Sequence, residues 1–156
     1  MQGRVLAIDY GERRVGLAVS DPLRMLARRL VTIDRAPSDN AGVIRTVLTV
    51  CDDLEVATIV VGLPLRTDNR HSDITEAAIA FAEELRQQTL LPVELFDERF
   101  TSSLAHHYLK ETGGTRRKGK HNKGMVDQVA AEILLQDWLD RARKDAVDTD
   151  RIDREP

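Results

Sequence analysis

At three places in this 156-residue chain acids stand where carboxylates are expensive to place. Asp9 follows directly on the unbroken apolar run Val5, Leu6, Ala7 and Ile8, and Asp97 and Glu98 come just past the apolar stretch "LPVELF". Asp127 heads a stripe in which Ala130, Ala131, Leu134, Leu135 and Trp138 follow at helical spacing. A carboxylate at the end of a buried strand must be paired or bound to a cation to offset its desolvation. Each acid also has an ordinary explanation. Asp9 could satisfy turn amides beside Gly11, Asp97 or Glu98 could be a solvated charge paired with Arg99, and Asp127 could complement the dipole of a helix start. One shared divalent site explains all three together. Mg2+ and Mn2+ prefer oxygen ligands and are commonly held by a few carboxylates, with waters and substrate phosphate completing the shell. Two such ions about 3.5–4 Å apart can activate water and stabilise the leaving oxygen of a phosphodiester.

The stretch "TRRKGKHNKG" supplies the opposite charge. Arg116, Arg117, Lys118, Lys120 and Lys123 lie within eight positions and lead into the helix that carries Asp127. A flexible Gly/Lys/Arg loop can hold backbone phosphates without reading base sequence, although such a run can equally be a solvated loop. None of the four histidines has the company a zinc site needs.

These residues depend on a regular alternation of elements. Strand-like runs at 4–9 and 14–20 flank "YGER", where Gly11 can provide a hairpin turn, and "RRLVTI" at 28–33 extends the meander. From Ser38 the period changes, with Val43, Ile44, Val47, Leu48, Cys51 and Leu54 forming one helical stripe. A strand at 57–64, a helix around Ala77–Leu85 and a strand at 91–96 follow. A short helix is expected over 101–110, a loop over 111–124 and a long helix over about 125–143. Three consecutive strands followed by alternating units imply an α/β domain with a mixed sheet and helices on its faces. If the strands of Asp9 and Glu98 run parallel, both acids open onto the carboxyl edge, where ligands of open α/β sheets gather.

The length suits one domain, expected over 1–143, with a frayed charged tail over 144–156. The net charge of −3 excludes a uniformly basic coat, so phosphate binding has to be local. Cys51, the single cysteine, excludes an intramolecular disulfide and reads as a core residue. No run approaches the roughly 18 apolar residues of a membrane span, which makes the cytoplasm the expected compartment.

In order along the chain, "DYGERRVGLAVSD", "VVGLP", "FDERFTS" and "VDQVAAEILLQDWL" resemble the blocks of the YqgF family, also called RuvX, over about 4–140. Those proteins are Holliday-junction resolvase-like and are regarded as pre-16S rRNA nucleases. The resemblance implies a ribonuclease H-like fold: a five-stranded mixed sheet, its first three strands antiparallel, with helices on both faces. It also implies that Asp9, Glu98 and Asp127 are the catalytic, metal-binding acids, using Mg2+ or Mn2+. Arg13, Gly16, Ser20 and Asp21 match the rest of the first block, and Arg13 joins Arg116, Arg117, Lys118, Lys120 and Lys123 as a substrate contact. Resolvase relatives carry an acid on the fourth strand; "IVVGLP" has none, so Glu98 stands in for it. The expected activity is hydrolysis of RNA phosphodiesters in maturation of the 5′ end of pre-16S rRNA. Cleavage of branched DNA and a non-catalytic role beside RNA or the ribosome are the alternatives. The sequence leaves monomer and homodimer equally open.

Overall fold

Apolar alternation and glycine placement decide the architecture. The structure is a computed structural model that describes residues 3–36, 39–63, 73–97 and 120–152, with the backbone alone for 120–127 and 152. The elements run β1 (Arg4–Tyr10), β2 (Arg14–Ser20), β3 (Ala27–Asp34), α1 (Asn40–Asp53), β4 (Val56–Leu63), α2 (Asp73–Gln88), β5 (Val93–Asp97) and α3 (Lys120–Ile152). One sheet has the order β3-β2-β1-β4-β5. The β1/β2 and β2/β3 pairs are antiparallel, and β1/β4 and β4/β5 are parallel. This is the mixed sheet expected of a ribonuclease H-like fold.

Strand alternation divides the core in two. Leu6, Ile8 and Tyr10 of β1 join Val15, Leu17, Val19, Ile59 and Val61 beneath α1 and α2. Val5 and Ala7 point the other way and pack with Ala18, Val60 and the α3 residues Ala131, Leu134, Leu135 and Leu139. β1 is therefore apolar on both sides, as a central strand must be. Cys51 is buried in the first cluster, where desolvation pushes its thiol up to about 11, with the Asp52 charge adding to the shift. No helix among the described residues is long and apolar enough to cross a membrane.

Several boundaries differ from the sequence reading. β5 begins at Val93 rather than 91, because Pro92 has no N–H for a ladder; its carbonyl instead accepts from Ile59 N at 2.9 Å. As an edge strand, β5 leaves Glu94 and Leu95 exposed, and Asp97 is its last residue rather than lying past its end. α1 starts at Asn40, after Asp39 caps it by accepting from Gly42 N at 3.1 Å. α3 starts at Lys120, inside the expected loop, and continues to Ile152 through the first part of the expected tail. Between Asp140 and Arg151 nearly every residue is exposed. The absence of proline there and local bonds such as Thr149 Oγ1 to Asp145 O (2.9 Å) let the helix continue without a core to cover. The expected helix over 101–110 lies outside the described residues.

β3 carries a bulge opposite Leu17/Ala18, where Leu30 is the extra residue. Two of its amides are bound by α3 side chains. Ala27 N donates to Gln136 Oε1 at 2.9 Å, and Arg29 N donates to Glu132 Oε2 at 3.1 Å.

Candidate active site

Asp9 is the penultimate residue of β1 and has the same parity as Val5 and Ala7, which places it on the α3 face. Its neighbours across both ladders are glycines, Gly16 on β2 and Gly62 on β4. Cross-strand partners share a face, so the residue directly opposite the half-buried Asp9 on each adjacent strand carries no side chain. The same rung continues to Thr32 on β3 and Phe96 on β5. β1, β4 and β5 are parallel to one another, so Asp9, Leu63 and Asp97 mark one carboxyl edge.

The direction of α3 can be read from its contacts. Glu132 bonds Arg29, with Nε to Oε2 at 2.9 Å, and Gln136 bonds the amide of Ala27. Four helical residues thus climb alongside two strand residues, about 6 Å against about 6.6 Å. α3 therefore runs antiparallel to β1 and β3, and its N-terminal end approaches the carboxyl edge. Arg29 shares a rung with Ala18 and Ala7, two residues below the rung of Asp9. Counting back five residues from Glu132, about 7.5 Å, brings the backbone of Asp127 level with Asp9, about 6.6 Å above that rung. Asp127 lies one turn before Ala131. Lys123 and Lys120 lie on the turns before it, with the Lys120 backbone about 10 Å beyond Asp127 along the axis.

Glu98, Arg116, Arg117 and Lys118 lie outside the described residues, and only the backbone is described for Lys120, Lys123 and Asp127. Among the described residues no three His, Cys, Asp or Glu side chains form a group that could hold a metal. The Asp9 carboxylate at this edge is a hard oxygen donor, the type that divalent cations such as Mg2+ take.

The first sequence block turns out to serve both ends of the sheet. Asp9, Gly11, Arg13 and Gly16 belong to the carboxyl edge. Ser20 and Asp21 lie at the opposite end, where their contacts are structural. Ser20 Oγ accepts from Val5 N and donates to Asp21 O, both at 2.9 Å. The Asp21 carboxylate accepts from the amides of Leu26 and Met25 at 2.8 Å and Leu23 at 3.1 Å. Those bonds, the one from Leu26 foremost, hold its carboxyl below the usual range.

At the carboxyl edge, the β1–β2 turn is closed by Gly11 N donating to Arg14 O at 3.0 Å. A Cβ on Gly11 would lie 2.6 Å from that same oxygen, so the close approach requires glycine. Arg35, which sequence spacing does not single out, reaches this turn from the end of β3. Its guanidinium lies over the Tyr10 ring, 4.8 Å from the centroid. Tyr10 in turn donates to Asn40 Oδ1 at 2.6 Å and stacks on Phe81 with ring centroids 4.7 Å apart. Burial raises the Tyr10 hydroxyl above its ordinary value, opposed by the Arg35 charge and by the bond to Asn40.

This architecture is matched by known proteins. A chain of Thermus thermophilus RuvC in complex with a Holliday junction substrate aligns with a TM-score of 0.52 at 16% identity, covering 85% of this chain and 91% of that one. A second Thermus thermophilus RuvC structure gives 0.51 at 15% identity, covering 84% and 92%. These likenesses are of fold. In sequence, the chain is 39% identical over 141 residues to a protein of Roseiflexus sp. (strain RS-1), covering 90% of this chain and 96% of the relative. It is 40% identical over 142 residues to a protein of Koribacter versatilis, covering 90% and 89%. Both relatives bear the name "Putative pre-16S rRNA nuclease". The model of one family, described as Holliday junction resolvase, matches residues 3–141, and the chain belongs to that family, RuvX.

Proposed function

We propose that this protein is a divalent-metal-dependent nuclease that hydrolyses phosphodiester bonds of RNA in the cytoplasm, at the 5′ end of pre-16S rRNA. The observation that carries the reading is the position of Asp9: a half-buried carboxylate at the carboxyl edge whose ladder partners are Gly16 and Gly62. The family description and the names of the curated relatives support nuclease chemistry and favour rRNA. In this reading residues 1–143 form the catalytic domain, and 144–156 extend from it.

Asp9, Glu98 and Asp127 would hold Mg2+ or Mn2+. Such a cation, when bound, lowers the pKa of the attacking water and neutralises charge on the phosphate. Three carboxylates brought into one small volume would repel one another, which would favour uptake of a cation. Arg13 in the turn and Lys120 and Lys123 on the first turns of α3 would meet the backbone phosphates, with Arg116, Arg117 and Lys118 extending that contact. In hydrolysis the water oxygen bonds to phosphorus, the bridging P–O bond breaks, and the water proton passes to solvent or to a carboxylate oxygen.

The test is cleavage of labelled precursor rRNA, single-stranded RNA and a four-way DNA junction in Mg2+, Mn2+ or chelator, with Asp9→Asn alongside. Metal-dependent cutting of precursor rRNA that Asp9→Asn abolishes supports the reading. Preferential cutting of the junction replaces RNA with branched DNA, and binding without cutting makes the protein a non-catalytic RNA-associated factor.

A further inference from the structure

Three consecutive carbonyls in the β1–β2 turn accept hydrogen bonds from one residue. Arg35 Nε donates to Gly11 O at 3.2 Å, its Nη2 to Glu12 O at 2.6 Å, and its backbone N to Arg13 O at 2.8 Å. Its guanidinium plane is held at the same time against Tyr10, and the Tyr10 hydroxyl is anchored on Asn40 at the start of α1. The turn is thus tied to the β3–α1 connection and to the core by a planar fork whose geometry lysine cannot reproduce. Glu12 and Arg13, by contrast, are exposed and project from the edge that carries Asp9. A turn whose backbone is this tightly fixed while its side chains stay in solvent is suited to presenting them, since a contact made by a pre-ordered group loses less entropy on binding.

We propose that Arg35 is a positioning residue for nucleic-acid binding: it fixes the turn so that Arg13 meets a backbone phosphate of a strand lying across the carboxyl edge. The assignment rests on the nuclease reading for the identity of that edge and adds to it a residue through which Arg13 acts. Arg35 contributes no contact to the substrate. Its Nε and Nη2 donors are used by the turn carbonyls, and its charge lies over an aromatic face. Without the fork the turn would sample several conformations, so Arg13 would reach the phosphate in only a fraction of them.

A double-mutant cycle tests this. Binding of a labelled structured RNA is measured by fluorescence anisotropy in chelator, so that no turnover intervenes, for the wild type, Arg13→Ala, Arg35→Lys and the double variant. Thermal unfolding is followed for each. Arg13→Ala and Arg35→Lys are each expected to weaken binding about five- to tenfold, the scale of one charge-assisted contact. The double variant is expected to bind within about twofold of Arg13→Ala alone, because the two residues act through one contact. In cleavage assays the loss appears in KM rather than in kcat. If Arg35→Lys does not fold, Arg35→Gln, which retains side-chain N–H donors, takes its place in the cycle. Losses that multiply in the double variant, or an Arg35 variant with wild-type affinity and only a lowered melting temperature, overturn the proposal. A wild type that binds RNA without cutting it counts against the nuclease reading and leaves the cycle readable. A wild type that binds no RNA removes both.

Discussion

Asp9 and Gly62 are partners across the parallel β1–β4 ladder, so the residue directly opposite the carboxylate on that strand carries no side chain. Gly16 stands in the same relation to Asp9 on β2. Strand interiors disfavour glycine, by roughly 0.5–1 kcal/mol relative to alanine. Both glycines lie on the rung of Asp9 at that cost.

If Asp9 helps to hold a cation, as proposed, the cation stabilises the fold by mass action. Wild-type protein is expected to melt several degrees higher in millimolar Mn2+ than in chelator, and Asp9→Asn is expected to lose that difference. The same substitution should lower cleavage by more than about a hundredfold, since even outer partners of metal ligands are worth about 10–100-fold. Differential scanning fluorimetry and a gel-based cleavage assay check the two outcomes. An Asp9→Asn variant that retains the full Mn2+ shift would remove Asp9 from the site.

The basic segment is tested through salt. Removing one phosphate-neutralising side chain lowers the slope of log affinity against log salt by about one. Replacing Arg116, Arg117 and Lys118 together by alanine should therefore flatten the slope by up to about three, measured by RNA binding from low to moderate KCl. An unchanged slope takes these residues out of the interface.

The packing of α3 is tested by Leu135→Ala. Leu135 is fully buried between α3 and the sheet, and truncations of this kind cost about 2–5 kcal/mol, depending on how far the cavity collapses. Trp138, the only tryptophan in the chain, packs beside the same cluster and donates to Glu94 Oε2 at 3.2 Å. Its fluorescence during urea unfolding reports on α3 directly. A loss below about 1 kcal/mol would mean that α3 contributes little to this face.

Alkaline stability reports on Cys51. Its folded value of about 11 lies above the ordinary 9.0, so the folded state holds the proton more tightly. Sign follows from linkage: the contribution is complete below about pH 9 and disappears as pH rises from about 9 to 11, by about 2–3 kcal/mol at most. Cys51→Ala should flatten that part of the pH–stability curve measured by urea unfolding, and native Cys51 should resist thiol reagents at about pH 8. A curve unchanged by the substitution would show that other groups, such as Tyr10, whose hydroxyl is also raised, account for the alkaline loss.

Local patterns foretold most of the sheet. β2 runs over 14–20 as read, because its apolar residues, Val15 to Val19, are buried on both faces and bounded by polar residues. The stripe after Asp127 identified the α3 face because burial follows the helical period at Ala131, Leu134 and Leu135. Composition was a poor guide beyond Lys144, where low hydrophobicity resembles disorder although helix propensity is adequate. The Leu30 bulge and the Arg35 fork were illegible for a different reason. A bulge depends on the register of two strands, and the fork joins residues 24 positions apart that spacing cannot connect. Asp9 was legible because an acid straight after four buried apolar residues conflicts with its surroundings. Glu98 and residues 116–118 lie outside the described residues.

The edge of the sheet at β3 has a protective consequence. An outer strand with unsatisfied amides is a template on which another chain can polymerise. Here Glu132 and Gln136 occupy the amides of Arg29 and Ala27, and the bulge at Leu30 bends the strand between its two halves. The helix whose N-terminal end approaches the carboxyl edge thereby also caps this border against fibril-like growth.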